Sequence, residues 1–304
     1  MINRQDTNIA VELALLVALA TLWGGSYTFI KLGVATIPPI TLIAARTAIA
    51  GLLLLAVMWA RGIRMPTDAA TWQRFAFQAV LNSVIPWTLI AWGEFHVDAA
   101  LATILNSAGP IFTFLLTAVV TRHEATTPRK LFGVVAGMAG ILLIVGVDAF
   151  HQFGSGLIAE AAIVAATICY ACAAIFGRSF QGLDPMAPAA GSLLAGAAAL
   201  IPAALIVEHP WTVSPSRESL LALLALSVFS TAAAFAIHFR LIQTLGSVGT
   251  TAQAYLRVPI GVAISVTFLG ETLSRTAWIG LACVVLGVAA MTIPARRPAS
   301  VKTS

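Results

Sequence analysis

Three long stretches of this chain carry no charge at all. Leu13 to Ile30, Leu101 to Thr121 and Ser219 to Phe239 contain no Asp, Glu, Lys or Arg. A helix that crosses a bilayer needs about 20 mostly apolar residues, and many windows here meet that length. With charges and Pro/Gly punctuation taken as boundaries, the pattern predicts ten spans. They cover 11–30, 38–60, 74–93, 98–120, 130–147, 155–177, 187–207, 219–239, 248–269 and 276–293. The connections are short, so no soluble domain is expected beside the bundle. The first span is long, turns polar at Ser26, Tyr27, Thr28 and Lys31, and shows no small-residue cleavage site. It therefore reads as a retained helix rather than a signal peptide.

Composition points the same way. Of the 304 residues, 59% are hydrophobic and 10% charged, against about 45–50% and about 25% in a soluble domain. The expected class is an all-α integral membrane protein. A net charge of +5 and a pI near 9.6 raise the question of nucleic acid, and the position of the charges answers it. With the N-terminus inside, the inner segments hold 12 of the 17 basic residues, among them Arg61, Arg64, Arg74, Arg122, Arg240 and Arg297. Lys31, Arg217 and Arg275 fall outside, and Arg46 and Arg257 lie within spans. This asymmetry is the positive-inside signal, with both termini cytoplasmic. Cys169, Cys172 and Cys283 all fall inside spans. With no His or further Cys nearby, the C-x-x-C spacing reads as small residues packing between helices rather than as a metal or redox site.

The chain repeats itself. A shift of 147 residues places Glu124, Gly133 and Gly140 on Glu271, Gly280 and Gly287, Trp23 on Tyr170, and Lys31 on Arg178. A shift of 149 places Pro110 on Pro259. Each copy holds five spans, and because five is odd the second copy enters the membrane from the opposite side. The units expected are 1–148 and 149–304. Inverted repeats of this kind enclose a site near the midplane in many secondary transporters.

The stretch PIGVAISVTFLGETLSRTAWIGLACVVLGV resembles the EamA-type module of the drug/metabolite transporter superfamily. Pro259, Gly270, Glu271, Gly280 and Gly287 carry the likeness. The first copy, PIFTFLLTAVVTRHEATTPRKLFGVVAGMAG, departs from it at His123-Glu124, where Gly-Glu is usual. TLWGGSYTFIK at 21–31 resembles the family's first helix. The resemblance implies ten transmembrane helices, arranged as two inverted five-helix repeats around a central cavity. It also implies a transporter for small molecules that has no cofactor.

Individual residues refine this. Four prolines lie inside spans: Pro86, Pro110, Pro202 and Pro259. A mid-helix proline leaves the carbonyl four residues earlier without its helical donor, and for Pro110 and Pro259 those carbonyls belong to Asn106 and Tyr255. Polar residues recur at helical spacing in the fourth span (Thr103, Asn106, Ser107, Thr113) and in the ninth (Thr250, Gln253, Arg257). In lipid such a stripe faces a cavity or another helix. Trp23, Tyr27, Tyr170 and Tyr255 are the deep aromatics, while Trp92 reads as an interfacial anchor. Glu124 and Glu271 end spans, where negative charge suits the N-terminus of the following helix. His238 is placed near an inner end, and Glu94 near an outer one. Arg257 lies mid-span, roughly 15 Å from either edge at about 1.5 Å per residue. Its repeat mate is Ala108, so the scaffold does not require the charge. Arg46, shallower, reads as a structural or gating residue.

The candidate substrate-binding residues are therefore Arg257, Tyr255, Gln253, Trp23, Tyr27, Asn106 and Tyr170, with Pro86, Pro110 and Pro259 as kinks. Arg257 is expected to bind a substrate carboxylate and the Tyr255 carbonyl an ammonium group. The function expected is export of small metabolites, amino acids foremost, by alternating access. Within the resembled superfamily the YddG-type amino-acid exporters are the preferred neighbours, and a multidrug exporter is the alternative. Partners are the substrate and the lipid bilayer, with no nucleic acid, no metal and no obligatory second subunit. A membrane enzyme acting on lipid-linked substrates would need clustered acids, bases or metal ligands. Glu94, His96 and Asp98, and His123 beside Glu124, offer no such spacing.

Overall fold

A computed structural model describes residues 9–116, 128–149, 155–180, 182–244 and 253–292. Among the described residues all regular structure is helical. Six helical stretches are long and apolar enough to cross a membrane: Ile9–Val34, Pro39–Ala60, Ala69–His96, Gly156–Ala173, Met186–Val207 and Arg217–His238. Shorter apolar helices cover Ala99–Thr113, Leu131–Gly140, Leu256–Leu269 and Arg275–Gly287.

In chain order the helices are α1 (Ile9–Gly24), α2 (Ser26–Val34), α3 (Pro39–Ala60), α4 (Ala69–Ala79) and α5 (Ile85–His96), followed by α6 (Ala99–Asn106), α7 (Gly109–Leu116) and α8 (Pro128–Ala149). Then come α9 (Ser155–Phe176), α10 (Met186–Val207), α11 (Arg217–Ser227), α12 (Ala234–Thr244), α13 (Gln253–Leu269) and α14 (Arg275–Thr292). Two π-helical turns interrupt the series, Val80–Val84 between α4 and α5 and Val228–Ala233 between α11 and α12. A shift of 148 residues brings one onto the other.

One proline expectation needs correcting. Pro110 does not sit mid-helix: it lies in the first turn of a new helix, α7. There the missing N–H is one that a helix start leaves unpaired anyway. Pro86 stays inside the unbroken helical stretch Ala69–His96, just past the π-helical turn. The fourth span breaks at Ser107 and Ala108, two residues before Pro110. Pro202 and Pro259 do lie inside α10 and α13.

Pairings between the helices follow the repeat. α8 packs on α14 and α3 on α10, each helix meeting its own mate, and α6 packs on α13. The α8–α14 seam is built on glycine. A Cβ at Gly140 would lie 2.7 Å from the Gly280 carbonyl oxygen, and one at Gly287 would lie 2.6 Å from that of Gly133. As numbers rise along α8 they fall along α14, so these mates run antiparallel. Small residues are what allow such approach where lipid supplies no hydrophobic drive. Outward faces remain apolar: Leu52, Leu53, Val57 and Trp59 on α3, and Phe268 on α13, are exposed. A patch of that kind suits lipid contact.

One end of the bundle is tied by polar contacts between spans. Glu208 accepts from the amides of Ile40 and Thr41 at 2.9 and 2.7 Å, capping α3. Glu271 accepts from those of Ala99 and Ala100 at 2.9 and 2.8 Å. Here the expectation is corrected: Glu271 caps α6, across the bundle, while Ser274 caps the helix that follows it, α14, through the Ala277 amide. A flexible carboxylate reaches whichever orphan amides the packing presents. Its partner in the repeat, Glu124, lies outside the described residues with His123. Elsewhere Asp68 caps α4, and hydrogen bonds from the Thr71 hydroxyl and amide hold its carboxyl below the usual carboxylate range.

Candidate functional site

A cavity of about 340 Å³ opens inside the bundle, in the lower part of the range for small-ligand sites. Its wall draws on both halves of the chain. Trp23, Tyr27, Arg46, Asn82, Trp87, Asn106 and Gly109 come from the first; Tyr170, Ser230, Phe235, His238 and Arg257 come from the second. The repeat reappears within it, since Trp23 pairs with Tyr170 at a shift of 147, and Asn82 with Ser230 and Trp87 with Phe235 at 148.

The π-helical turns explain part of this placement. Each inserts an extra residue into a helix and recurs at functional sites in many proteins. Asn82 and Ser230 sit within the two turns and both face the cavity. Ser230 is 1% exposed and its hydroxyl has no hydrogen-bond partner among the described residues.

Arg46, on α3, is the centre of the first half's wall. Its guanidinium carbon lies 3.7 Å from the centroid of the Trp87 ring, a stacked cation–π contact. Arg46 Nε donates to Thr231 Oγ1 at 2.9 Å, and that hydroxyl donates to the Leu226 carbonyl at 2.8 Å. The plane of the fork is thus fixed by a ring on one side and a π-helical turn at its edge. Arg46 is 5% exposed. Arg46, expected to be a structural or gating residue, lines the cavity.

Arg257 is set by close backbone packing. A Cβ at Gly24 would lie 2.8 Å from the Arg257 carbonyl oxygen and 3.0 Å from the Gly261 nitrogen. Only glycine lets α1 come this near α13, which brings Trp23 and Arg257 to the same cavity. Arg257 is half-buried, and its Nε has no partner among the described residues.

A polar relay stiffens the opposite side. Asn106 Nδ2 donates to the Tyr27 hydroxyl, and Thr167 Oγ1 donates to Asn106 Oδ1 at 3.1 Å. Three spans meet in those two bonds. Thr28 and Ser265 add a hydroxyl pair at 3.2 Å between α2 and α13.

Of the residues expected from sequence, Trp23, Tyr27, Asn106, Tyr170 and Arg257 line one cavity. Gln253 does not: it is buried outside the lining, with Oε1 unpartnered. The side chains of Tyr255 and Pro110 lie outside the described residues, as does Thr250. Thr103, Ser107 and Thr113 turn back onto their own helices, bonding the carbonyls of Ala99, Ile104 and Gly109. His238, expected near an end of its span, faces the cavity, its ring centroid 5.1 Å from that of Trp23. Glu94, near the end of α5 as expected, is wholly buried. Lys31 stays beside it, its Nζ donating to the carbonyls of Glu94 and Val97 at 2.6 and 2.7 Å. His96 and Asp98 are exposed, so they do not gather with Glu94 into a catalytic cluster. Trp92 is half-buried against His96.

The model of the EamA-like transporter family matches twice, at residues 10–146 and 157–293. An uncharacterized inner membrane transporter, YedA of Escherichia coli strain K12, is 27% identical over 282 residues, 91% of this chain and 89% of the relative. A probable terminal-alkyne amino-acid exporter of Streptantibioticus cattleyicolor is 25% identical over 289 residues, 94% and 95% of the two chains. A solved crystal structure 19% identical in sequence superposes with a TM-score of 0.67, covering 95% of this chain and 99% of the other. The last shares the fold.

Proposed function

We propose that this chain, which belongs to the EamA-like transporter family, exports small carboxylate-bearing metabolites, with amino acids the leading class. The observation that carries this reading is the cavity wall. Both family-matched segments contribute to it, and it presents Arg46 and Arg257 with no Asp or Glu among its described residues. Guanidinium forks match carboxylates bidentately, and the surrounding Trp and Tyr rings accept an apolar side chain. The name of the Streptantibioticus relative, a probable amino-acid exporter, adds support. Family and relatives are transporters by name, not enzymes.

The arrangement that serves this function is ten transmembrane helices in two inverted five-helix repeats, 1–148 and 149–304. They sit in a bacterial inner membrane with both termini cytoplasmic. Antiparallel packing of the mates α8 and α14, the paired π-helical turns and the doubled family match all favour it. Alternating access rocks one repeat against the other around the cavity, and the glycine contacts at Gly24, Gly261 and the α8–α14 seam are surfaces on which helices can slide.

The test is counterflow in proteoliposomes with a panel of radiolabelled amino acids. Accumulation of chemically unchanged label is expected. Movement of lipophilic cations alone would replace the reading with multidrug export, and chemical conversion of the label would replace it with an enzyme.

A further inference from the structure

We propose that the cavity is built for a substrate with two carboxylates, one held by Arg46 and the other by Arg257; this rests on the cavity being the transport site. The argument is charge balance. The chain has 12 acidic residues, and none of those with described side chains lines the cavity. Three of them are engaged elsewhere: Glu12 pairs with Arg240 at 2.9 Å, and Glu208 and Glu271 cap helices. Glu94 makes no ion pair with Arg46: its two carboxyl oxygens have no partner among the described residues, and Lys31 beside it donates to its backbone carbonyl. Asp6, Glu124 and Asp148 fall outside the described side chains and, by sequence, near span ends. Two guanidinium charges therefore face the cavity without a carboxylate in its wall.

A zwitterion with one carboxylate would satisfy one fork and bring its ammonium group toward the other. Like charges in a partly desolvated site repel by several kcal/mol at the effective dielectric of such places. A small acid with two carboxylates removes that repulsion and occupies both forks. The geometry of Arg46 suits this use. Trp87 covers one face and Thr231 takes Nε, while its two terminal nitrogens make no hydrogen bond among the described residues. Those two nitrogens are the edge that binds a carboxylate in parallel. Repeat symmetry does not require either residue: Arg46 falls on Leu193 at a shift of 147 and Arg257 on Ala108 at 149. Each charge is an addition to the scaffold, and both additions face one cavity of about 340 Å³.

The experiment measures displacement of radiolabelled glutamate from the purified chain in lipid nanodiscs by glutamate, glutamine, succinate, succinamate and lysine. Glutamate and succinate are expected to bind about 10- to 100-fold more tightly than their amides, the value of one charge-assisted contact. In Arg46→Ala that preference should collapse to about unity while glutamine affinity holds, and Arg46→Lys should recover part of it. A merely structural role for Arg46 would weaken acid and amide alike. Equal binding of glutamate and glutamine by the unmodified chain would overturn the proposal and leave amino-acid transport standing. Preference for lysine would overturn it too. If no member of the panel bound while a lipophilic cation did, the transport-site reading would fall with it.

Discussion

The α8–α14 seam and the central cavity are built from the same repeat and treat it in opposite ways. At the seam the symmetry is kept: Gly133 and Gly140 map on Gly280 and Gly287, and each helix presents its glycines to the other. In the cavity the aromatic and polar frame is kept, in Trp23 with Tyr170 and in Asn82 with Ser230. The charges are not, because Arg46 and Arg257 map on positions that carry Leu193 and Ala108. Scaffold contacts serve both halves equally and can stay duplicated. A substrate is not two-fold symmetric in general, so the groups that read it break the symmetry.

The comparison breaks most sharply if the halves are not inverted. Single cysteines at positions 124 and 271, in a background lacking Cys169, Cys172 and Cys283, should react from opposite sides of the membrane. Labelling of both by an impermeant reagent added outside intact cells would remove the inverted arrangement, and with it the meaning of every symmetric pair above.

Next in size is Arg257→Ala. Losing a charge-assisted contact of about 1.5–3 kcal/mol should lower transport of carboxylate substrates about 10- to 100-fold at matched membrane expression. Undiminished transport by the alanine variant would sink the role given to this arginine.

Much of this molecule is legible in the sequence, and the failures share a cause. Uncharged runs mark the spans because a charged side chain is costly in hydrocarbon, and Arg257 stands out because its depth forbids snorkelling to the surface. The cavity roles of Trp87 and His238 were passed over. Each lies just beyond a π-helical turn, in α5 and α12. One inserted residue rotates everything downstream by about 100° at 3.6 residues per turn, so a helical wheel drawn through the insertion assigns the wrong face. Nothing in Val80–Val84 or Val228–Ala233 announces a wider turn, although Pro86 lies just beyond the first. The place of Arg46 in the cavity wall was missed for another reason. Its depth was read from its position along the span, whereas a long side chain stacked on Trp87 puts its charge where the ring directs it.

The seam should respond to volume and leave recognition alone. Gly287→Ala forces a Cβ to within 2.6 Å of the Gly133 carbonyl oxygen and 2.8 Å of the Gly137 amide nitrogen. Backbone cannot yield as a side-chain tip does, so a loss of about 1–3 kcal/mol is expected. Thermal unfolding in detergent should show it, while substrate affinity of the folded fraction stays at the unmodified value. A changed preference between acid and amide in this variant would mean that seam and cavity are not separable.

The smallest effect expected is in the polar relay, where scaffold and cavity meet. Asn106 donates to the Tyr27 hydroxyl and accepts from Thr167, joining α6, α2 and α9 beside the substrate space. Asn106→Ala removes both bonds and leaves the Tyr27 hydroxyl without this donor. Each bond contributes about 0.5–1.5 kcal/mol net. Thr167 loses little, since its hydroxyl also bonds the Ile163 carbonyl at 2.9 Å. Tyr27→Phe removes only the first bond and leaves the ring. If the relay holds the aromatic wall in place, the two changes should be non-additive in stability, with a coupling of about 0.5–1.5 kcal/mol in a double-mutant cycle. Both variants should also weaken substrate binding modestly and together, because the ring that Asn106 positions is part of the cavity lining. Strict additivity would mean that Asn106 and Tyr27 act on the substrate independently, and the wall would then owe its position to packing alone.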